Sequence, residues 1–183
     1  MLKIISKILL SLLGWKIVGN TNFPKKCVVI AAPHTSNWDF ILGKLYSYII
    51  EINGNYLLKS QLFKPIIGSL FRWSGAIPVY RHQKNSLVSQ LSRLFKEEDS
   101  LILAMSPEGT RASVSKWKTG FYHIAKAAKV PIVLLKIDYR LKEIGIIKLL
   151  DVSKDLNSDF SQIEKEYVKV SPKFKENYNP KIF

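Results

Sequence analysis

The chain has 183 residues, of which 47% are hydrophobic and 23% charged, so its composition excludes a disordered or fibrous protein and suffices for one domain. Lys and Arg number 28 against 14 Asp and Glu, and the net charge of +14 favours anionic partners such as phosphorylated substrates, membrane surfaces or nucleic acid. Cys27 is the only cysteine, which excludes an internal disulfide framework and a metal site built from several cysteines.

Residues 1–18 predict an amphipathic helix. Its polar stripe consists of Lys3, Lys7, Ser11 and Gly14, and its apolar face of Leu2, Ile5, Leu9, Leu12, Leu13 and Ile17. Lysines interrupt the segment well short of the roughly 20 apolar residues that a bilayer span needs. A signal peptide and a helix that packs on the core are alternatives. We predict a membrane-surface helix within residues 1–20, with Trp15 at the lipid headgroups.

Short apolar runs and amphipathic segments alternate along the rest of the chain. Strands are predicted at 27–32, 55–58, 76–80, 101–105, 131–137 and 145–150, and helices at 38–51, 60–73, 84–98 and 120–129. This alternation predicts an α/β fold, a single layered domain over residues 21–170 with a largely parallel or mixed sheet flanked by helices. Residues 171–183 lack periodicity and are expected to form a loosely packed C-terminal tail.

Two polar loops, at residues 33–39 and 106–119, each follow a buried strand directly. In a parallel sheet the carboxyl ends of the strands meet at one edge, where ligands bind. We therefore expect both loops to open on the same rim of the sheet.

The first loop holds His34 and, five residues later, Asp39. If His34 lies in the loop and Asp39 in the first turn of the next helix, the carboxylate can accept a hydrogen bond from one imidazole nitrogen. The other nitrogen is then free to take a proton from a substrate hydroxyl. Ser36 and Asp39 also fit a capping box, in which Asp39 serves only the helix start. On this segment alone, the capping interpretation is favoured.

The second loop carries residues suited to an anion. Gly109 permits a tight turn or a close approach of the backbone to a ligand, and Arg111 presents a planar fork that matches phosphate. The alternative is a functionless ion pair between Glu108 and Arg111. A third segment, residues 75–81, is a strand that ends on Arg81, and alone it predicts only a solvated arginine.

Together these segments resemble the glycerolipid acyltransferase family, whose best-known members are the 1-acylglycerol-3-phosphate acyltransferases. Its His-x4-Asp motif is similar to residues 34–39, its arginine-ending strand to residues 75–81, its Pro-Glu-Gly-Thr-Arg motif to residues 107–111 and its Val-Pro-Ile-Val strand to residues 130–133. Each motif alone is degenerate, but four of them stand in the family's order between about residues 27 and 138. Tyr80 stands where many members carry an acidic residue, a difference that bears on the acceptor.

The resemblance implies acyl transfer from acyl-CoA or acyl-carrier protein to a hydroxyl of a lysophospholipid, above all 1-acylglycerol 3-phosphate, in phospholipid biosynthesis. It implies His34 as the general base and Asp39 as the carboxylate that orients it. The residues it implies for the substrate site are Arg81, Glu108, Gly109, Thr110 and Arg111. This chemistry requires no cofactor and no metal. We expect a peripheral or monotopic protein on the cytoplasmic face of a membrane.

Two alternatives remain open from the sequence. The same chemistry could act on glycerol 3-phosphate or on a lysolipid without phosphate. From another class, a basic module could bind membrane or nucleic acid. The lysines are scattered, however, and no recognised nucleic-acid motif is present, so nucleic acid is not expected as a partner.

Overall fold

The computed structural model describes residues 1–80, 87–153 and 155–182, and these form a seven-stranded sheet. The strands are β1 (Lys16–Val18), β2 (Lys26–Ala32), β3 (Gly54–Lys59), β4 (Ala76–Val79), β5 (Leu101–Met105), β6 (Ile132–Asp138) and β7 (Glu143–Leu150). Their order across the sheet is β1-β7-β6-β2-β5-β3-β4. Antiparallel pairing is confined to β6 with β7, and the other neighbouring pairs are parallel. The predicted α/β fold with a largely parallel sheet is confirmed.

Helices cover both faces of the sheet. Within the described ranges the α-helices are α1 (Leu2–Leu12), α2 (Asn37–Ile49), α3 (Pro65–Trp73), α4 (Leu87–Glu97), α5 (Gly120–Ala128) and α6 (Leu156–Tyr167), with 3₁₀ turns at Ser60–Leu62 and Lys175–Asn177. Successive side chains of a strand point to opposite faces. Val28 and Ile30 of β2 therefore pack with α4, α5 and α6, whereas Cys27 and Val29 pack with α1 and α2. Because β2 is apolar at successive positions, its side chains fill the hydrophobic layers on both faces of the sheet.

Parallel pairing brings three loops to one rim of the sheet. β2 lies between β5 and β6 and is parallel to both, so the carboxyl ends of these three strands lie side by side. The two polar loops follow β2 and β5, as predicted, and Tyr139 follows β6. This rim is where the candidate site is built.

The N-terminal segment differs from the prediction after Leu12. Gly14 has a φ of +74°, a left-handed conformation that ends the helix, and the chain then enters β1, which pairs with β7. Trp15 is buried and packs edge-on against Tyr139, with ring centroids 4.9 Å apart. The predicted place of Trp15 among lipid headgroups is therefore wrong.

The C-terminal quarter is more ordered than its sequence suggested. α6 was not predicted. Asp155 caps it by accepting hydrogen bonds from two backbone N–H groups, and its inward face is fully buried. Residues 171–182 are not a loosely packed tail, because Ile182 is buried and its carbonyl accepts a hydrogen bond from the Trp117 N–H at 3.1 Å. The carbonyl of Ser171 likewise accepts from the Tyr139 N–H at 2.9 Å. The sequence of this segment has no hydrophobic periodicity because backbone hydrogen bonds to irregular loops hold it in place.

Candidate active site

The loop between β2 and α2 places His34 and Asp39 in contact. Ser36 caps α2, and its hydroxyl oxygen accepts a hydrogen bond from the Trp38 N–H at 3.2 Å. Asp39 Oδ2 accepts from the N–H groups of Thr35 and Ser36, each at 2.9 Å, and lies 3.0 Å from His34 Nδ1. One carboxylate thus closes the helix start and contacts the imidazole, so the two interpretations of the sequence are compatible.

This geometry sets the tautomer of the imidazole. Asp39 is buried and already accepts two backbone hydrogen bonds on the oxygen that faces His34, so Nδ1 of His34 must be the protonated nitrogen. In the neutral imidazole, Nε2 is then the nitrogen without a proton. The His34 side chain is 27% exposed, which leaves it open to a substrate. General-base catalysis on a hydroxyl needs this arrangement.

Tyr139, which no sequence motif indicated, contacts the other oxygen of Asp39. Its hydroxyl donates to Asp39 Oδ1. Burial, together with the neighbouring carboxylate, raises the pKa of Tyr139 well above its ordinary value. A tyrosine directly after a buried strand was a usable signal, but only the strand order shows that β6 lies beside β2 and His34.

Glu108 joins the two loops of the rim. Its Oε1 accepts a hydrogen bond from the His34 N–H at 2.9 Å, and its Oε2 accepts one from the Ser106 hydroxyl at 2.6 Å. The side chain is buried, and burial raises the pKa of its carboxyl group. Both oxygens are engaged inside the protein, so Glu108 does not form the ion pair with Arg111 that was the alternative interpretation. Its contacts are those of a residue that positions His34.

The raised pKa of Glu108 has a consequence for stability. The carboxyl group of Glu108 has a pKa of about 4.3 in the unfolded chain and a higher pKa in the folded protein. At pH values between the two, the folded protein binds the proton more tightly than the unfolded chain does. Ionisation of Glu108 therefore opposes folding, and its contribution to the free energy of unfolding falls as the pH rises through this window.

The Pro-Glu-Gly-Thr-Arg motif of the second loop makes a tight turn at Gly109, and the residues after the turn are exposed. Gly109 has a φ of +66°, and a Cβ at this position would lie 2.8 Å from Lys118 Nζ, so the turn favours glycine. Thr110 and Arg111 are exposed. Nη1 of Arg111 donates to Asn37 Oδ1 in the first turn of α2. The structure thus brings the predicted motif of the second loop to the His34–Asp39 pair.

The four residues between His34 and Asp39 line a surface groove of about 580 Å³. The residues that line it are Thr35, Ser36, Asn37, Trp38, Arg111, Ala112, Lys173, Phe174 and Asn177. They come from the first loop, the second loop and the C-terminal segment. An anionic substrate in this groove would meet Arg111 and the residues that follow His34 in the chain.

The predicted site residue Arg81 lies outside the described residues. The strand before it is where the sequence placed it, since β4 ends at Val79 and runs parallel to β3. Tyr80 is the last described residue before the gap and is exposed. The role of Arg81 in binding substrate stays a prediction.

Comparisons with known proteins show which family the chain is similar to. A sequence model of the family described as Acyltransferase matches residues 15–137, a range that contains the His34 and Glu108 loops. The 1-acyl-sn-glycerol-3-phosphate acyltransferase of Saccharomyces cerevisiae is 29% identical over 126 residues, which cover 64% of this chain and 41% of the yeast protein. The chain thus spans about two fifths of the length of that relative.

A solved structure shares the fold. The crystal structure of PlsC from Thermotoga maritima, described as a 1-acyl-sn-glycerophosphate (LPA) acyltransferase, matches with a TM-score of 0.62 at 18% identity. The match covers 90% of this chain and 74% of that one. The likeness confirms the α/β architecture, and the family match, which spans most of the chain, confirms the resemblance seen in the motifs. The chain belongs to the Acyltransferase family.

Proposed function

We propose that the protein transfers an acyl group from an acyl thioester, carried by CoA or an acyl-carrier protein, to the hydroxyl of a lysophospholipid in phospholipid biosynthesis. The acceptor in this proposal is 1-acylglycerol 3-phosphate. The observation that carries it is the contact between His34 Nδ1 and Asp39 beside the groove that Arg111 lines. Membership of the Acyltransferase family supports the reaction, and the names of the yeast and Thermotoga maritima proteins support the acceptor.

The reaction passes the acyl group directly to the acceptor. Nε2 of His34 removes the proton of the acceptor hydroxyl as its oxygen attacks the thioester carbonyl carbon and a C–O bond forms. The tetrahedral intermediate collapses with cleavage of the C–S bond, and the imidazolium returns the proton to the departing thiolate, which leaves as a thiol. An acyl-enzyme on Cys27 has no support, because this thiol is fully buried and burial raises its pKa to about 12.

The residues around His34 prepare it for this step. Asp39 faces the positive charge that develops on the imidazole, and the Tyr139 hydroxyl and two backbone N–H groups fix the carboxylate. Glu108 fixes the backbone of His34. Such positioning lets the base act in the orientation that the attack requires. A positioned general base typically contributes about 10²–10⁴ in rate.

Arg111 supplies a cation for the acceptor phosphate. Its guanidinium has the fork geometry that binds two phosphate oxygens at once. The contact with Asn37 holds it at the amino end of α2, where the helix dipole also favours an anion. This arrangement supports an acceptor that carries phosphate.

A panel of substrates tests the proposal with the purified full chain. Acyl-CoA and acyl-carrier protein are each offered with 1-acylglycerol 3-phosphate, glycerol 3-phosphate and a monoacylglycerol that lacks the phosphate. We expect kcat/KM for 1-acylglycerol 3-phosphate to exceed that for monoacylglycerol by at least about tenfold, since an unfilled cation site loses a charge-assisted hydrogen bond. A higher kcat/KM for either other acceptor would refute the choice of acceptor. A lack of product with every pair would refute acyl transfer.

We further propose that α1 attaches the protein to a membrane surface. Within the described residues, no helix is long and apolar enough to cross a bilayer. The apolar residues that α1 leaves exposed are Leu2, Ile4, Ile5, Ile8, Leu9 and Leu12. Only Ser6 and Leu10 are buried against the protein, and Lys3 and Lys7 flank the exposed face. A helix of this kind suits the interface of an anionic leaflet, such as that of the cytoplasmic face.

A second exposed apolar stripe lies on α3. Ile66, Leu70 and Trp73 recur at helical spacing and are 60–88% exposed. Both helices neighbour α2, since α1 packs along it and the Lys44 ammonium of α2 donates to the Ser74 carbonyl at the end of α3. We include α3 in the proposed membrane contact, because it flanks α2 as α1 does and also leaves an apolar stripe exposed.

Point variants on the two stripes test the attachment by co-sedimentation with vesicles of phosphatidylglycerol and phosphatidylcholine. Leu12→Asp and Leu70→Asp should each weaken binding by at least about tenfold, since burial of one leucine side chain is worth about 1.5–3 kcal/mol. Val168→Asp is the matched control, because Val168 is similarly exposed at the end of α6, on the other face of the sheet. Binding by Leu12→Asp equal to that of the control would refute the role of α1, and the same result for Leu70→Asp would refute that of α3.

A further inference from the structure

The C-terminal segment closes one side of the groove. The Phe174 N–H donates to Thr35 Oγ1 at 3.2 Å, and the side-chain amide of Asn179 donates to the carbonyls of Val114 and Ser115 at 3.1 and 3.0 Å. These bonds tie the segment to the first and second loops of the rim. Because the segment lies beyond residues 15–137, the family match assigns it no role.

Lys173 is the cation that this segment brings to the groove. Its Nζ lies 5.2 Å from the ring centre of Trp38, 5.6 Å from that of Phe174 and 6.0 Å from that of Tyr139. Over the described parts of the chain, no carboxylate forms an ion pair with Lys173. Aromatic rings attract an ammonium but do not neutralise it. The ammonium therefore lines the same groove as Arg111, and no described residue forms an ion pair with it.

We propose that Lys173 and Arg111 together bind the phosphate of the acceptor, an inference that rests on the proposed function. A phosphate monoester carries between one and two negative charges near neutral pH and presents three terminal oxygens. A guanidinium engages two of them in parallel, and an ammonium, as a compact point charge, takes the third. The groove supplies one cation of each kind from two different segments.

The position of Lys173 near the base favours the acceptor over the donor as the source of this phosphate. In 1-acylglycerol 3-phosphate the reacting hydroxyl and the phosphate are on neighbouring carbons, so a phosphate-binding cation must lie near His34. The hydroxyl of Tyr139, one of the three rings around Lys173, donates to Asp39, and Trp38 is the residue before Asp39 in the first turn of α2. In CoA the pantetheine arm separates the phosphates from the thioester, which would place them far from His34 during the reaction.

Three variants of the full chain test the proposal by steady-state kinetics. Lys173→Met removes the charge and keeps a stem that packs on the rings, and Lys173→Arg keeps the charge. Lys175→Met is the matched control for the loss of one surface charge, because Lys175 is exposed and does not line the groove. We expect Lys173→Met to raise the KM for 1-acylglycerol 3-phosphate about tenfold and to leave the KM values for monoacylglycerol and acyl-CoA unchanged. Lys173→Arg and Lys175→Met should resemble the wild type.

Two kinetic results would overturn the proposal. One is an unchanged KM for 1-acylglycerol 3-phosphate in Lys173→Met, or a rise that monoacylglycerol shares. The other is a rise in the KM for acyl-CoA alone, which would assign the phosphate to the donor. Thermal unfolding checks that each variant is folded, and Lys173→Gln replaces Lys173→Met if the latter is not.

A binding measurement separates this inference from the proposed function. Calorimetric titration with sn-glycerol 3-phosphate needs no turnover. Weaker binding by Lys173→Met than by Lys175→Met supports the site even if the protein transfers no acyl group, in which case only the proposed function fails. Equal binding by the two variants overturns the site even if acyl transfer is observed.

Discussion

The contact between Tyr139 and Asp39 allows a sharp test of how the His34–Asp39 pair is held. Tyr139→Phe removes a single oxygen and keeps the ring that packs against Trp15. Across the described residues, Tyr139 is the side chain that donates to Asp39 Oδ1, whereas the other three donors face Oδ2. The substitution therefore leaves one oxygen of a buried carboxylate without its donor.

The size of the effect follows from that loss. A hydrogen bond to a charged group contributes about 1.5–3 kcal/mol, so we expect the free energy of unfolding to fall by about that amount. If about 1.4 kcal/mol of the loss also appears in the transition state, where Asp39 stabilises the imidazolium, kcat falls about tenfold. The KM for the acceptor should not change, because Tyr139 acts on Asp39 and not on the substrate.

The assay compares Tyr139→Phe with Tyr122→Phe. The Tyr122 hydroxyl also donates to a buried carboxylate, Asp159 Oδ2, at 3.0 Å, but on the face of the sheet away from α2. Both variants should lose stability in urea unfolding, and only Tyr139→Phe should lose kcat.

Two outcomes would refute this reasoning. If Tyr139→Phe and Tyr122→Phe lose the same stability and neither changes kcat, Tyr139 is structural and does not position the base. If kcat falls in both variants to the same extent, the loss follows stability in general.

The other predictions concern the second loop. The stability of the wild type relative to Glu108→Gln, measured by urea unfolding from about pH 4 to about pH 8, should fall as the pH rises, by no more than about 1.4 kcal/mol per pH unit; a difference independent of pH would contradict the raised pKa of Glu108. Under the proposed function, in which the Arg111 guanidinium binds the acceptor phosphate in the ground state, Arg111→Ala should raise the KM for the acceptor about tenfold and leave that for the donor unchanged; a rise in the donor KM alone would show that Arg111 has another role. Gly109→Ala should lower the free energy of unfolding by about 1 kcal/mol or more, because alanine disfavours a positive φ and its Cβ would crowd Lys118; unchanged unfolding would show that the loop relaxes.

Elements with a clear hydrophobic pattern were predictable from the sequence, and elements held through the backbone were not. β5 was predicted at residues 101–105 and lies there, and α5 was predicted one residue too long. β1 was missed because it has three residues and gains its place by pairing with β7. That pairing is so close that a Cβ on Gly145 would lie 1.9 Å from the Val18 carbonyl oxygen. A contact between residues so far apart in the chain leaves no hydrophobic periodicity in the local sequence.

The candidate site shows the same division. The sequence offered the contact between His34 and Asp39 as one of two interpretations, and only the resemblance to the family favoured it over the helix cap. That both polar loops open at one rim was predicted because each follows a buried strand. That Glu108 turns inward to the His34 backbone could not be read from the motif. Neither Tyr139 nor Lys173 belongs to a motif. Tyr139 reaches the site because it follows β6, which adjoins β2, and Lys173 reaches it because the C-terminal segment returns to the rim.

The turnover of His34→Ala tests the role of His34 as general base most directly. The backbone N–H that donates to Glu108 remains in this variant, so the bridge between the two loops is kept. At saturating acyl-CoA and 1-acylglycerol 3-phosphate, we expect kcat to fall by about 10²–10⁴, with the midpoint of thermal unfolding and the KM for the acceptor unchanged. A folded His34→Ala variant with a kcat within about threefold of the wild type, well outside that range, would contradict general-base catalysis by His34.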